Sequence, residues 1–278
     1  MVRYFLKFSY IGTQYRGLQR QTGDSFIRDT DSVQGALETA LLTIIPRSLI
    51  RPSICLSSRL LDCIPVTYDF HARHSAKSRT YIYRFMIPKE FQEQRISLAE
   101  AIHTFHLRAY DFDIDRAKRG IKLFMGTKDF TTFSAKNETK HKIQYIRSLH
   151  SFTLEEAQPL MPFDPLSENF TYWHFLCSGK SFLYNQIRRM VGALFALGLG
   201  KITEKDITVM LQVPSHYNWN PRVTPASPNG LHLLNVEYDS DELRHCTILE
   251  EQKEKLQLVE QEQELQLEDQ RQKLQLKE

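Results

Sequence analysis

The sequence predicts an α+β protein, two antiparallel sheets each backed by helices, with a charged C-terminal tail. Three observations carry that expectation. Short stretches of strand alternation recur along the chain, apolar residues at helical spacing fall between them, and the composition changes abruptly over residues 250–278. The 278 residues have room for one large domain or two small ones. The polar stretch Lys89–Arg95 interrupts the alternation, so the expected division is a first domain over 1–95, a second over 96–240 and a low-complexity tail over 241–278.

In order, residues 2–10 alternate as a strand and end at the turn Ile11-Gly12-Thr13. Asp31 or Ser32 caps a helix whose apolar positions Val33, Leu37, Ala40 and Leu41 fall on one face. Strand alternation returns from Thr80 to Phe85, inside a region rich in aromatic, β-branched and basic residues. A helix is expected over 113–124, a loop at Gly126, then strand-like residues Phe130–Phe133. Ile143–Leu154 and Tyr172–Ser178 read as strands, and a long helix runs from about Phe182 to Leu197. A short helix over 203–212 and a last strand from Leu231 to Tyr238 complete the body.

The tail repeats every nine residues, at Lys255-Leu256-Gln257-Leu258, Glu264-Leu265-Gln266-Leu267 and Lys273-Leu274-Gln275-Leu276. Nine residues advance a helix by about 900°, so successive copies alternate faces. Leu249, Leu256, Leu267 and Leu274 share one face and Leu258, Leu265 and Leu276 the other, which is no single heptad seam. The tail reads as a fluctuating charged helix or a disordered segment.

The net charge of +3 understates the body. The tail carries five basic and nine acidic residues, leaving 31 basic against 24 acidic, or +7, on residues 1–249. A basic globule suits a polyanionic partner. Cys55, Cys63, Cys177 and Cys246 form no C-x-x-C pair, so neither a zinc cluster nor a disulfide framework is expected. No apolar run reaches the ~18 residues of a membrane span. Met1-Val2-Arg3 leads straight into strand alternation, leaving no visible targeting segment. The expected setting is intracellular, with cytoplasm, nucleus and mitochondrion undistinguished.

Three local features invite a chemical reading. From His71 to Arg84 the chain holds four Lys/Arg, two histidines, Tyr81 and Tyr83. Basic groups contact phosphates and aromatic rings stack on splayed bases, although a solvated edge strand has the same look. His71 and His74 have no third ligand nearby, so no metal is expected. From Ser181 to Gly192, Leu183, Ile187, Met190 and Leu194 form a core-facing stripe, and Arg188 lies at its margin. Asn229-Gly230-Leu231 follows the proline-rich Pro221–Pro228. Each feature alone is ordinary.

Together and in this order they resemble the TruA family of pseudouridine synthases. Tyr10-Ile11-Gly12-Thr13 and Gly17-Leu18-Gln19-Arg20-Gln21 are similar to the first family block, with Leu18 where tryptophan is usual. Ser32-Val33-Gln34-Gly35 opens the first helix, and Phe70-His71-Ala72-Arg73 with Ser75–Tyr81 is close to the second signature. Gly126-x-x-Asp129-Phe130-x-x-Phe133, the Phe182–Gly192 block and Gly230-Leu231 extend the resemblance over roughly residues 2–240. The wording Ser57-Ser58-Arg59 and Ser181-Phe182-Leu183-Tyr184 is nearest to the eukaryotic pseudouridine-synthase-like members.

The resemblance implies isomerisation of uridine to pseudouridine in tRNA, without a cofactor, on an everted base. By motif, Tyr81 packs against the uracil and assists proton removal at C5, Arg188 pairs with the catalytic carboxylate, and Leu231 lines the base pocket. Arg59 helps expose the target nucleotide, and Arg20, Arg73, Lys77, Arg79, Arg84 and Arg189 complete an RNA-binding set. Bacterial-type members work as dimers, which leaves a homodimer open.

One block is missing. In the family Thr-Asp-Ala-Gly-Val-His-Ala follows the arginine matched by Arg59, and its aspartate is catalytic. Here Arg59 runs into Leu60-Leu61-Asp62-Cys63-Ile64-Pro65-Val66, which resembles the strand leading into Phe70. Leu61 stands at the catalytic offset, one residue before Asp62. The family carries roughly forty or more residues between these points, and losing a strand and helix from so small a domain truncates its core and unpairs strand edges. Activity of this chain is therefore in question, and the alternative is a non-catalytic tRNA-binding protein.

Overall fold

The computed structural model describes residues 3–12, 32–37, 58–90, 95–136, 143–241 and 243. The chain forms two compact units, Met1–Ser75 with Asp239–Glu278, and Ala76–Tyr238. The repeats of the tail and Arg20 lie outside the described residues.

In the first unit β1 (Arg3–Tyr10) pairs antiparallel with β2 (Ser58–Val66), from Arg3 opposite Val66 to Tyr10 opposite Ser58. A helix α1 is described over 33–37, with Ser32 Oγ accepting from Gly35 N at 3.0 Å, the expected N-cap. Val33, Val66 and Phe70 are buried, and Phe5 meets the Phe70 ring edge-on. Tyr4 and Leu61, by contrast, are more than half exposed.

The second unit is one mostly antiparallel six-stranded sheet with its helices. Its strands are β3 (Ser78–Pro88), β4 (Phe105–His106), β5 (Gly126–Asp129), β6 (Ile146–Ala157), β7 (Phe170–Gly179) and β8 (Leu231–Glu237). The order is β4-β3-β7-β6-β5, and β8 also pairs with β3. One edge of β3 runs along β7 from Arg79 to Pro88, while the other is shared by β8 over Ser78–Tyr83 and by the parallel β4 at Phe85 and Met86. The sequence suggested a division at 95/96. The chain divides instead at 75/76, because the hydrogen bonds of β3 go to β7, β8 and β4.

Strand periodicity sorts β3 into two faces. Tyr83, Phe85 and Ile87 join the main core, while Met86 packs with Phe170 and Tyr172 in a smaller cluster. Bulges keep the pattern in phase. In β6 the register skips His150, so Leu149 lands on the same buried face as Phe152 and Leu154. In β8 it skips Leu234, so Leu231 and Leu233 oppose Tyr83 and Tyr81.

Beneath this face lies α4 (Gln186–Gly198), buried at every residue except Arg188 and Arg189. A helix apolar on nearly all sides must be covered all round. α3 (Ile114–Phe124) covers one side, and Gly120 permits the approach, since a Cβ there would sit 2.3 Å from Leu197 Cδ2. α3 is capped by Asp113, whose side chain accepts from Arg116 N. α5 (Glu204–Gln212) begins at Thr203, whose N donates to Asp206 Oδ2 at 2.7 Å. α2 (Leu98–His103), a six-residue helix, was not anticipated from the sequence.

Three elements differ from their sequence reading, the first being the loop expected at Gly126, which opens strand β5. Phe130–Phe133 is a turn, not a strand. Asp129 Oδ1 accepts from both N and Oγ1 of Thr131, which closes the turn and drives Phe130 and Phe133 fully inward. The long helix starts at Gln186 rather than Phe182, because Asn185 adopts a left-handed conformation at φ 62°.

The centre of the core is aromatic. Phe85 stacks on Phe175 at 5.2 Å and meets Phe195 edge-on at 5.0 Å. Phe85→Ala is expected to lower the unfolding free energy by about 3–5 kcal/mol in a urea titration, whereas Phe163→Ala, at a ring 98% exposed, is expected to shift it by less than about 0.5 kcal/mol.

Candidate active site

The candidate site lies in the second unit, where β3, the turn before α4 and the loop before β8 meet. Tyr81 and Tyr83 share a face of β3, with Leu233 and Leu231 opposite them on β8. The Phe182 ring meets Tyr81 edge-on at 5.2 Å. Tyr83 is buried, and its hydroxyl donates to Ser227 O at 2.8 Å. Gly230 fits against Tyr83, since a Cβ there would lie 2.9 Å from the ring and 2.5 Å from Arg84 O. That contact explains why Gly-Leu, and not a bulkier pair, leads into β8.

Arg188 is half-buried and held on two sides. Its Nε donates to Ala226 O at 2.7 Å, its Nη1 donates to Asn185 Oδ1 at 3.1 Å, and its own carbonyl accepts from Ala226 N at 2.9 Å. The loop can come this close because residue 192 is glycine. A Cβ there would sit 2.3 Å from Thr224 O and 3.1 Å from Ala226 N. Asn185, the only described non-glycine residue with positive φ, carries local strain at the site and supplies the second acceptor. Gln186, fully buried, caps the turn by accepting from Leu183 N at 2.8 Å.

Two of the five guanidinium N–H groups of Arg188 are thus taken by neutral oxygens, which leaves three for other acceptors. Among the described residues of this unit no carboxylate pairs with it. The guanidinium is close enough to oppose, in part, the rise that burial imposes on the Tyr83 phenol. Burial also pushes the Cys177 thiol up to about 12, so it is inert packing on β7.

Tyr81, Arg188 and Leu231 are therefore gathered around Tyr83. The basic residues are not. Arg79 lies on the Tyr81 face and donates from Nη1 to Lys180 O at 2.8 Å, and Lys77 is exposed beside it. Arg84 falls on the opposite face by strand alternation, donates to Gln158 O at 2.8 Å and lies 4.0 Å from the buried Glu100. Arg189 turns away from Arg188 by one helical step. Its Nη1 donates to Thr132 O at 2.9 Å, and its guanidinium lies 4.8 Å from the Trp219 ring centroid. Arg73 is exposed in the first unit, and the Arg59 side chain is outside the description. Asp62, on β2 opposite Lys7, is exposed, with Oδ1 accepting from Cys63 N at 2.8 Å.

Sequence reasoning missed Asn185, Gly192 and Ala226 as parts of the site. The signals were an asparagine just ahead of a helix and a glycine inside one, where only a packing or conformational need explains it.

Gly192→Ala is expected to push the 224–226 segment off α4, lowering stability by about 1–3 kcal/mol and speeding hydrogen exchange at the Ala226 amide. The second expectation concerns alkaline pH. The raised Tyr83 pKa means that folding favours the neutral phenol, so its contribution is complete below about pH 10, the ordinary value, and is lost as pH rises beyond it. Tyr83→Phe is expected to show a shallower loss of stability above pH 10 in pH-dependent urea unfolding.

Comparison with known proteins places these residues in context. A family model described as tRNA pseudouridine synthase matches residues 121–239. The tRNA pseudouridine synthase-like 1 of Xenopus laevis is 34% identical over 200 residues, covering 70% of this chain and 64% of the frog protein. The human tRNA pseudouridine synthase-like 1 is 28% identical over 287 residues, covering 88% of this chain and 93% of the human one. Those 287 positions draw on only 88% of 278 residues, so about forty have no residue of this chain opposite them. The tRNA pseudouridine synthase A of Exiguobacterium sibiricum is 31% identical over 201 residues, covering 71% of this chain and 70% of the bacterial one. With the six sequence blocks and the α+β architecture, this means that the chain belongs to the TruA family of tRNA pseudouridine synthases.

Proposed function

We propose that this chain holds tRNA and a target uridine as a pseudouridine synthase does, and that the 278-residue form stops short of the isomerisation. The observation that carries the reading is the tethered Arg188. Its guanidinium is fixed by Ala226 and Asn185 next to Tyr83, with donors left over, in a site that also holds Tyr81 and Leu231. A planar fork so held suits a carboxylate better than a mobile lysine would.

In the full reaction, the aspartate acts on the nucleoside, the glycosidic bond breaks, and the uracil rejoins the ribose through C5. Tyr81, braced edge-on by Phe182, packs against the uracil and helps remove the C5 proton. Leu231 supplies apolar wall to the base pocket, and Arg188 orients the carboxylate. The chain has no aspartate at the offset after Arg59, where Leu61 stands. Asp62 follows one residue later on an exposed strand position opposite Lys7. A misplacement of about 1 Å already costs such a site heavily, which favours tRNA binding without turnover.

The test is tritium release from tRNA labelled at uridine C5, run beside a tRNA-binding titration in rising salt. The purified chain is expected to release no tritium above background, while its log K falls linearly with log salt. Release would move the carboxylate elsewhere, with Asp62→Asn the next variant. Failure to bind tRNA, with a broad unfolding transition, would sink the proposal in favour of a truncated product without function.

A further inference from the structure

The turn after α5 offers an aromatic ring to solvent although its neighbours are tied down. Ser215 N donates to Thr132 Oγ1 at 3.0 Å, Asn218 Nδ2 to Val213 O at 2.9 Å, and Trp219 Nε1 to Val223 O at 2.9 Å. The His216 ring lies edge-on to Tyr145. Among these anchored residues Tyr217 is 88% exposed, with the Lys136 ammonium 5.9 Å from its ring centroid.

This turn is coupled to the candidate site. Ala135 N, just before Lys136, donates to Tyr184 O at 3.1 Å. Tyr184, 71% exposed, precedes the left-handed Asn185. From the other side Arg189, next to Arg188, braces the turn through its contact with Trp219. Two exposed rings, Tyr184 and Tyr217, thus lie on segments joined through Ala135, with the Lys136 ammonium over the Tyr217 ring and Tyr184 four residues before Arg188.

A ring left in water adds nothing to folding through burial. Held on an anchored turn, it is instead organised in advance for a partner, which lowers the cost of ordering it on binding. Rings interleaved with an ammonium match an unpaired nucleotide, whose base stacks while its phosphate meets the cation. An acidic peptide would use Lys136 and leave both rings idle.

We propose that Tyr217 and Lys136, with Tyr184 nearer the site, form a stacking and phosphate contact for an unpaired nucleotide of tRNA beside the target uridine. The inference rests on the tRNA reading above and adds the side from which the strand enters.

The experiment is fluorescence anisotropy of the full chain with a labelled tRNA transcript over a salt series. Tyr217→Ala is expected to weaken binding about tenfold at fixed salt, with the salt slope unchanged, and Tyr217→Phe to restore it. Lys136→Gln is expected to weaken binding and reduce the slope by ~0.7–0.9. Both substituted positions are solvent-facing, so unchanged urea unfolding curves verify that each of the three variants is folded. Wild-type binding matched by both Tyr217→Ala and Lys136→Gln overturns this contact and leaves the tRNA reading standing. Loss in Tyr217→Phe equal to that in Tyr217→Ala overturns the stacking role. Absence of wild-type binding overturns both.

Discussion

The reciprocal pair of hydrogen bonds between Arg188 and Ala226 is the constraint on which the site depends. One bond uses main-chain atoms of Arg188 and the other its side chain, so the loop before β8 is fastened to α4 at a single residue from two directions. The consequences run outward. Ser227 follows Ala226 and accepts the Tyr83 hydroxyl, which anchors the loop to the sheet. Gly230 and Leu231 then enter β8 in register with Tyr83. A guanidinium placed by rotamer freedom alone would lose side-chain entropy on pairing with an anion. Here that loss has already occurred during folding.

Much of this was legible from residue order, and the exceptions have physical causes. α3 and α5 follow directly from helical spacing and capping residues, because each buries one face, while β1 and β8 follow from apolar alternation and the turn residues beside them. The Phe130–Phe133 segment looked like a strand since two phenylalanines and two threonines suit one. A single side chain, Asp129, closes it into a turn instead. The start of α4 was set too early because Phe182 and Leu183 continue its apolar stripe. Only the backbone at Asn185 reveals that they approach the core from a loop. Arg84 counts with its basic neighbours in sequence, yet strand alternation carries it to the other face, toward Glu100.

The first unit is where the family resemblance and the sequence part company. β1 and β2 pair from Arg3 opposite Val66 to Tyr10 opposite Ser58, with Lys7 opposite Asp62, a register shift that passes over Leu61, and Arg59 inside β2. The strand runs on past Arg59 through Leu60, Leu61 and Asp62 as one extended segment. It also fixes Asp62 as a residue of that ladder, exposed at its side, rather than as one on a loop aimed at a base. The site residues within Ala76–Tyr238 keep their mutual geometry regardless, because every tether described for Arg188 and Tyr83 comes from that unit.

The shared edge of β3 has a further consequence. This strand supplies Tyr83, Phe85, Met86 and Ile87 to the interior. An open edge on such a strand would be a template for amyloid-like growth. β8 covers its first half and β4 reaches its second, so neither side of β3 is left as a bare ladder. Damage to the neighbouring unit therefore does not hand an aggregating edge to the sheet that carries the site. Changes confined to the first unit then leave that covering in place, so selection can reshape residues before Ala76 without unpairing the strand that carries Tyr81 and Tyr83.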